Sequence, residues 1–592
     1  MIFTNISIIL SFISGLALFL YGMSFMSAEL EKASGGRLER ALERFSSGIL
    51  QSFLLGTAVT ALIQSSSATT VMVIGFVNSG IMKLSAATGI IIGANLGTTV
   101  TSWILSLTGI SEGAFLVSLL DPSFFAPILA IIGVFMRLFS KKTRAFDVGG
   151  MILGFSLLMI GMTLMSDSLA PLSQNESFTS ILTLFQNPLA GILAGTLLTA
   201  VIQSSSASVG ILQALSLTGA LPYSIALPIV MGQNIGTCAT ALISSVGTDK
   251  NAKCAAFIHL YFNVIGTLLI SVVFYSLNAL IAFPFLDSDA TPVDIALAHT
   301  LFNLISTLLL LPFSSYLERL ALFTVGKRKD DESTSELHER LLDQRFLSSP
   351  SFALDVSRET FKKMICTATE TARLSISLAL RAQNERQIIS SIEEKEDLVD
   401  KYEESLRRYL LKIKSDDLTR SEEAELYRLL ASIGEAEHIC DRAYDLSRII
   451  TEMHRRGKEL PLAVLPEFKI YLDAVEEAMN ITLEAVNNKN TVAAHQVEPL
   501  VRITSLLCTE LRSRNNEALL SGKIHDEGYG SFFNDILSDL EDICELCSTL
   551  ALLIIRSHLG GNEFDSHEYL HAYASTAEYR AAYQRFKKKY AI

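Results

Sequence analysis

Two short polar runs stand inside an otherwise apolar stretch of this chain, Gln64-Ser65-Ser66-Ser67 and Gln203-Ser204-Ser205-Ser206. They offer hydroxyls, amides and backbone N–H groups but no formal charge, which suits reversible binding of a small ion better than bond-making chemistry. Where such a run interrupts a helix, a new half-helix begins, here at about Ser66 and Ser205. The free N–H groups and the positive dipole end of that half-helix favour an anion, and serine is a preferred N-cap. The preceding half-helix leaves carbonyl oxygens exposed. With the side-chain oxygens of Gln64, Thr98, Gln203 and Thr237, these suit a small hard cation such as sodium. Asn95 and Asn234, each close to glycines, would open a second helix toward the same centre and complete the anion-binding set with the two glutamines and six serines. A bound cation offsets the charge of a bound anion where the dielectric is low, so each favours the other.

The two runs belong to one segment written twice. Residues 56–104 and 195–243 align without a gap at a constant shift, 203 − 64 = 139 and 234 − 95 = 139, with 20 identities in 49 positions. GTAVTALIQSSSATT at 56–70 returns as GTLLTAVIQSSSASV at 195–209, and GANLGTT at 93–99 as GQNIGTC at 232–238. Gly15 and Gly22 map at the same shift onto Gly154 and Gly161. A serine run in one membrane helix reads as interhelical glue. Two in register with two glycine-flanked asparagine breaks read as a binding site, and a duplicated membrane segment broken at polar residues is the layout of a secondary transporter.

A spanning helix needs about 20 mostly apolar residues. Candidates are roughly 5–27, 84–107, 124–139, 148–166, 222–245, 255–283 and 295–315. Short cytoplasmic loops collect Lys and Arg. Lys32, Arg37, Arg40 and Arg44 mark one such loop, as do Lys141, Lys142 and Arg144, then Lys250 and Lys253, and finally Arg319, Lys327, Arg328 and Lys329. The N-terminus is then outside and the C-terminal part inside, in a plasma membrane (the inner membrane of a bacterium). Span 5–27 and its counterpart 148–166 run in opposite directions, so the copies are inverted. Residues 49–80 and 188–219 hold the serine runs at mid-length. Each half is about 15 residues, too short to cross roughly 30 Å at 1.5 Å per residue, so each region is expected to be a re-entrant hairpin. Ile6–Phe25 lacks a basic leader and reads as a retained span rather than a signal peptide. Asp121-Pro122 reads as a loop turn, and His259 and His299 as packing or hydrogen-bonding groups.

Composition divides the 592 residues in two. Hydrophobic residues make up 49% and mean hydropathy is +0.38, with the excess at the front. Residues 1–316 carry 11 basic and 13 acidic residues; the remainder holds 37 and 48, a net −11 that argues against a nucleic-acid partner. The seven cysteines form no paired framework, and Cys544 and Cys547 lie on a helical pattern without a second pair.

QSSSA followed by G-x-N-x-G-T, doubled at this spacing, resembles the type II sodium/phosphate cotransporter family over roughly residues 1–316. The resemblance implies sodium-coupled uptake of inorganic phosphate, with Na+ as coupling ion and Gln64, Ser65, Ser66, Ser67, Gln203, Ser204, Ser205 and Ser206 as the core of the site. Cys238 stands where the first copy has a threonine, so one hydroxyl is lost in the second.

Residues 317–350 are charged and read as a linker. Helical periodicity follows at about 351–383, 385–414, 419–456, 463–488, 491–518 and 530–557. Glu437 and Asp441, in E-x-x-x-D, resemble the signature of PhoU-type bundles, with Glu541 and Glu545 as the counterpart. An i, i+4 carboxylate pair shares a helix face and suits a hard metal. The resemblance implies a divalent or iron-type metal, and regulation of transport by cellular phosphate through a cytoplasmic partner. A solvated acidic face is the plainer reading of the same residues.

The expected architecture is therefore all-α: a polytopic membrane domain at 1–316 (repeats at about 15–139 and 154–315), a linker at 317–350, a soluble PhoU-like bundle at 351–560 and a tail at 561–592. The leading function is symport of phosphate with sodium by alternating access. Alternatives are symport of another small anion, or a membrane phosphate sensor signalling through the tail. No Ser-His-Asp order, phosphate loop or metalloprotease motif suggests an enzyme.

Overall fold

The structure is a computed structural model describing residues 2–34, 37–44, 48–109, 122–140, 143–172, 180, 182–326, 342–380, 384–415, 418–458, 460, 465–521, 527–559 and 566–591. Asp121, Lys141, Lys142, Lys327, Arg328 and Lys329, on which the turn and two basic loops were expected, lie outside these residues. The chain divides into two compact units. The first comprises Met1–Ser333 with Asp343–Phe352, the second Thr334–Leu342 with Ala353–Ile592. Among the described residues both are helical, and no strand occurs beyond an isolated bridge between Pro222 and Asp289.

In the first unit the helices are α1 (Ile2–Ser34), α2 (Arg37–Arg44), α3 (Ile49–Ile63), α4 (Ser66–Asn78), α5 (Leu84–Ser106), α6 (Pro122–Phe139), α7 (Thr143–Leu169), α8 (Pro188–Ile202), α9 (Ser205–Ser216), α10 (Tyr223–Gly236), α11 (Cys238–Ser244), α12 (Lys250–Ile281), α13 (Pro292–Leu310) and α14 (Ser314–Val325). Among the described residues six segments are long and apolar enough to span a membrane: Ile6–Ala33, Leu84–Ser106, Ala145–Leu169, Tyr223–Ser244, Lys250–Ile281 and Pro292–Val325. The seventh expected span, at 124–139, forms a helix that falls in the shorter class. Leucine, isoleucine, valine and phenylalanine stand exposed along these helices, as on a surface solvated by lipid.

Packing makes the repeat symmetry explicit. A Cβ on Gly15 would lie 2.9 Å from the Gly161 carbonyl oxygen, and one on Gly22 would lie 2.7 Å from that of Gly154. Residue number rises along α1 as it falls along α7, so the two helices are antiparallel. The shift of 139 carries the Gly15–Gly161 contact onto Gly154–Gly22. A contact that maps onto itself with partners exchanged is the mark of a two-fold axis, and antiparallel equivalents make the copies inverted. Inside each copy, glycines let the first half-helix press on the long helix. A Cβ on Gly93 would meet the Phe53 oxygen at 2.1 Å, and one on Gly232 that of Ile192 at 2.0 Å. At the same crossing Thr57 Oγ1 donates to Phe53 O (2.9 Å) and lies 3.1 Å from Gly93 O; Thr196 repeats this with Ile192 O (2.8 Å) and Gly232 O (3.1 Å).

The second unit is built from α15 (Pro350–Leu380), α16 (Glu385–Leu410), α17 (Arg420–Arg455), α18 (Leu465–Asn488), α19 (Thr491–Leu520) and α20 (Glu527–Leu559), six long helices as the periodicity predicts. Two shorter ones, α21 (Ser566–Ala574) and α22 (Ala577–Lys589), occupy the region expected to be a tail. α22 is held to the bundle by Lys589–Glu477 at 2.8 Å and by buried Phe586. The stretch expected as a linker is also partly structured: 317–325 continue α14, and 343–352 pack on the first unit.

Candidate functional site

Both serine turns are built the same way. α3 ends on Gln64 in the left-handed region (φ 61°, ψ 25°), and α8 ends on Gln203 (φ 59°, ψ 22°). Each glutamine N–H closes its helix on a threonine carbonyl, Thr60 or Thr199. Left-handed backbone is uncommon for residues with a Cβ, and such outliers concentrate where function requires them. The chain then re-enters helix at Ser66 and Ser205, the starts expected from sequence. Ser65 and Ser204 are the N-caps, each accepting from a backbone N–H at 3.2 Å, that of Ala68 and of Ala207. Half-helices of 15 and 13 residues in the first copy, and 15 and 12 in the second, are each too short to cross a bilayer.

The two turns line one cavity of about 310 Å³, walled by Gln64, Ser65, Ser66 and Ser67 from the first copy and by Ser204, Ser205 and Ser206 from the second. This is room for a small hydrated ion. Two half-helix N-termini thus face one polar space, and among the described residues its walls carry no basic side chain. The cavity extends along α1 past Ser24 and Ser27 to Glu31, roughly 12 Å of helix from Met23. These three α1 residues were missed in the sequence. Their spacing at i, i+3 and i+7 on one helix face was the available signal, hidden because the first copy's α1 carries no repeat motif beyond its glycines.

Of the expected residues other than the serines, only Gln64 is among those lining the cavity. Gln64 is buried; its Nε2 donates to Ala61 O, and its Oε1 accepts from Thr101 Oγ1 at 2.8 Å. Thr101 was not expected. Gln203 is exposed and outside the wall. Asn95 and Asn234 are both buried and tie the long helices to α12 and α13: Asn95 Oδ1 lies 3.1 Å from His259 Nε2, and Asn234 Oδ1 accepts from Asn303 Nδ2 at 3.1 Å. Thr98 and Thr237 are buried and donate back to their own helix, to Ala94 O and Gln233 O, each at 2.9 Å. His299 Nδ1 lies 2.8 Å from Ser102 Oγ, so both histidines are hydrogen-bonding groups. Buried Glu29 pairs with Arg137 at 2.6 Å, joining α1 to α6.

In the second unit, ligand atoms of Glu437, His438 and Asp441 lie within 4.8 Å of one another, as do those of Glu396, Asp400 and Asp441. Burial, then the neighbouring Asp441, pushes the Glu437 carboxyl up to about 7. Glu396 and Asp400 are also raised, by burial first and then by surrounding carboxylates. Crowded carboxylates that resist ionising together fit a hard cation. Glu541 has other partners: Ser505 at 3.0 Å, Cys508 at 3.3 Å and Arg512 at 3.1 Å. Glu545 is exposed. Cys544 and Cys547 are buried, and burial raises both thiols, Cys547 to about 12.

With this geometry in view, the comparisons with known proteins are specific. A sequence profile described as Na+/Pi-cotransporter matches residues 18–167 and again 157–283. Over these residues the chain carries the Na+/Pi-cotransporter family pattern. The two matches fall on the two copies, so each repeat carries the family pattern. The chain is 26% identical over 441 residues to the putative inorganic phosphate export protein YjbB of Salmonella typhimurium, covering 73% of this chain and 77% of that one. Uncharacterized protein YqeW of Bacillus subtilis is 29% identical over 53% of this chain and 97% of its own. The sodium-dependent phosphate transport protein 2A of Rattus norvegicus is 38% identical over 93 residues, 15% of each chain. No solved structure matches.

Proposed function

We propose that this protein carries inorganic phosphate across the plasma membrane together with sodium, by alternating access around the paired serine turns. One observation carries the reading: two inverted half-helix N-termini face a single polar cavity with no basic side chain among its described lining residues. A tetrahedral oxyanion would be held by N–H and hydroxyl donors of Ser65–Ser67 and Ser204–Ser206. Sodium would take carbonyl oxygens of the preceding half-helices together with side-chain oxygens, for which Gln64, Thr98, Gln203 and Thr237 are the candidates, while Asn95 and Asn234 remain candidates on the anion side. The names of the YjbB and 2A relatives support phosphate, and that of 2A supports sodium coupling. With the basic loops on the cytoplasmic side, the cavity opens past Glu31 toward the cytoplasm, and rocking of one copy against the other would open it outward. Proteoliposomes should accumulate labelled phosphate only under an inward sodium gradient. Uptake indifferent to sodium would remove the coupling. Because YjbB relatives are named as exporters, efflux from loaded vesicles along an outward gradient is the matching measurement of direction.

The second unit would regulate transport from the cytoplasm through a metal held by Glu396, Asp400, Glu437 and Asp441, which would hold a divalent or iron-type ion through carboxylate oxygens. Glu541, already partnered, and exposed Glu545 make the weaker second pair. A metal competes with protons, so divalent cation should raise the bundle's unfolding temperature at pH 8. The rise should shrink below about pH 7 as Glu437 takes up its proton. A shift of equal size at pH 5.5 would show binding elsewhere.

A further inference from the structure

The first compact unit takes in a piece of chain far from the membrane helices in sequence, Asp343–Phe352. This piece grips the base of the first hairpin. Asn78, the last residue of α4, donates from Nδ2 to Asp343 Oδ2 at 2.7 Å and accepts at Oδ1 from the Asp249 backbone N–H at 2.9 Å. Asp249 is in turn the N-cap of α12. Arg345 pairs with Asp343 at 2.7 Å, and its Nε donates to Ser244 O, the last carbonyl of α11, at 2.8 Å. Beneath this polar node Phe76, Phe346 and Phe352 form a buried aromatic triad with ring centroids 5.2–5.3 Å apart. Gly75 makes room for it: a Cβ there would lie 2.8 Å from Phe346 Cε1.

α4 is a short rigid rod. Ser66 and Ser67, in the cavity wall, stand at one end, and Phe76 and Asn78 at the other, roughly 18 Å away. Whatever fixes the base fixes where the serines stand. Among the described residues the second hairpin lacks this set, because the shift of 139 puts Ala214, Leu215 and Leu217 where the first has Gly75, Phe76 and Asn78. Its base is held instead by Gln213, whose Nε2 donates to Ser102 O at 3.1 Å and Pro292 O at 2.9 Å. The contact with Asp343–Phe352 is therefore particular to the first copy, added to a symmetric scaffold by residues distant in sequence. We propose that Asp343–Phe352 is an anchor that sets the position of the first serine turn, with Asn78, Asp343 and Phe346 as its positioning residues. It deepens the proposed function and rests on reading that turn as the transport site. α15 begins inside the anchor, at Pro350.

The test uses the full chain in lipid nanodiscs and proteoliposomes. Asn78→Asp faces the Asp343 carboxylate with a second one and should release the anchor; adding Asp343→Asn restores an amide–carboxylate pair with the roles exchanged. Amide hydrogen exchange, measured without phosphate or sodium, should rise about tenfold over residues 66–78 in Asn78→Asp. It should stay unchanged over 205–216 and return to the parental rate in the double variant. Half-maximal phosphate concentration should rise by a similar factor, with maximal rate less affected, and should recover with the second substitution. Asn78→Ala, which removes the bond without adding charge, should act in the same direction more weakly and stands in should Asn78→Asp not insert. Equal exchange in both hairpins, unchanged exchange over 66–78, or no recovery in the double variant would each overturn the anchor. If the parental chain carries no phosphate, the proposed function falls, while the exchange result still decides the anchor.

Discussion

The two serine hairpins share a backbone and differ in surroundings. Gln64 and Gln203 have φ values of 61° and 59°, and Ser65 and Ser204 cap the next half-helix at the same 3.2 Å. Yet Gln64 is buried and bonded to Thr101, whereas Gln203 is exposed. Thr60 Oγ1 donates to Thr69 Oγ1 at 3.1 Å, while at the equivalent places the Thr199 and Ser208 hydroxyls are buried with no hydrogen bond among the described residues. Symmetry is thus enforced where backbones touch and relaxed where side chains meet the site. A carrier that alternates between two faces needs this combination: one scaffold, with halves differently engaged in any one state.

The strongest way to break the scaffold half of that comparison is at the glycines. Gly93→Ala and Gly232→Ala would each drive a methyl group to about 2 Å from a backbone oxygen. Backbone cannot yield as a flexible side chain does, so each should cost more than about 3 kcal/mol. Both should abolish folded protein in a thermal-stability assay of the detergent-solubilised chain. A large effect in one copy alone would deny that the two crossings are equivalent.

Next in size is the glutamine pair. Replacing either by alanine leaves the same left-handed strain in both copies, so the difference between them isolates the side chain. Gln64→Ala strips Thr101 of a buried partner, worth about 1–3 kcal/mol, and should lower phosphate transport by roughly tenfold or more. Gln203→Ala should change it only severalfold. Equal losses would mean that Gln203 swings into the site during the cycle, and the asymmetry would then belong to one state rather than to the protein.

The backbone half of this picture was legible in the sequence. A constant shift of 139, apolar halves of about 15 residues and serine at each break dictate hairpins, caps and inversion, because chain length against bilayer thickness leaves few alternatives. The side-chain half was not. Asn95, Asn234, Thr98 and Thr237 were expected at the site from their place in the repeat, which does not reveal the neighbours their side chains bond. These four point toward α12, α13 or their own backbone. Thr101, one turn beyond Thr98, reaches Gln64 instead. Ser24, Ser27 and Glu31 reach the cavity from a helix whose polar face is diluted by long apolar stretches. The grip of Asp343–Phe352 on α4 depends on contacts 265 residues apart, beyond any local pattern.

Smaller effects sharpen the comparison from both sides. Ser65→Ala and Ser204→Ala each remove one N-cap acceptor and should each destabilise by about 1 kcal/mol. The pair should agree closely, since the caps are geometrically identical; a disagreement would show that one serine hydroxyl serves the bound ion rather than the helix. The threonines behind the turns should disagree. Thr60→Val loses the bond to Thr69 and should cost about 0.6 kcal/mol, the average for a side-chain hydrogen bond inside a membrane protein. Thr199→Val replaces an unbonded buried hydroxyl with a methyl of the same shape, so it should be neutral or slightly stabilising. The decisive measurement is the unfolding temperature of both variants with and without sodium. If Thr199→Val is neutral in both media, the second copy's hydroxyl is a packing residue and the asymmetry lies in the protein's own bonding. If its cost emerges only in sodium, the hydroxyl is a ligand, and the two copies differ because one bonds internally where the other bonds its ion.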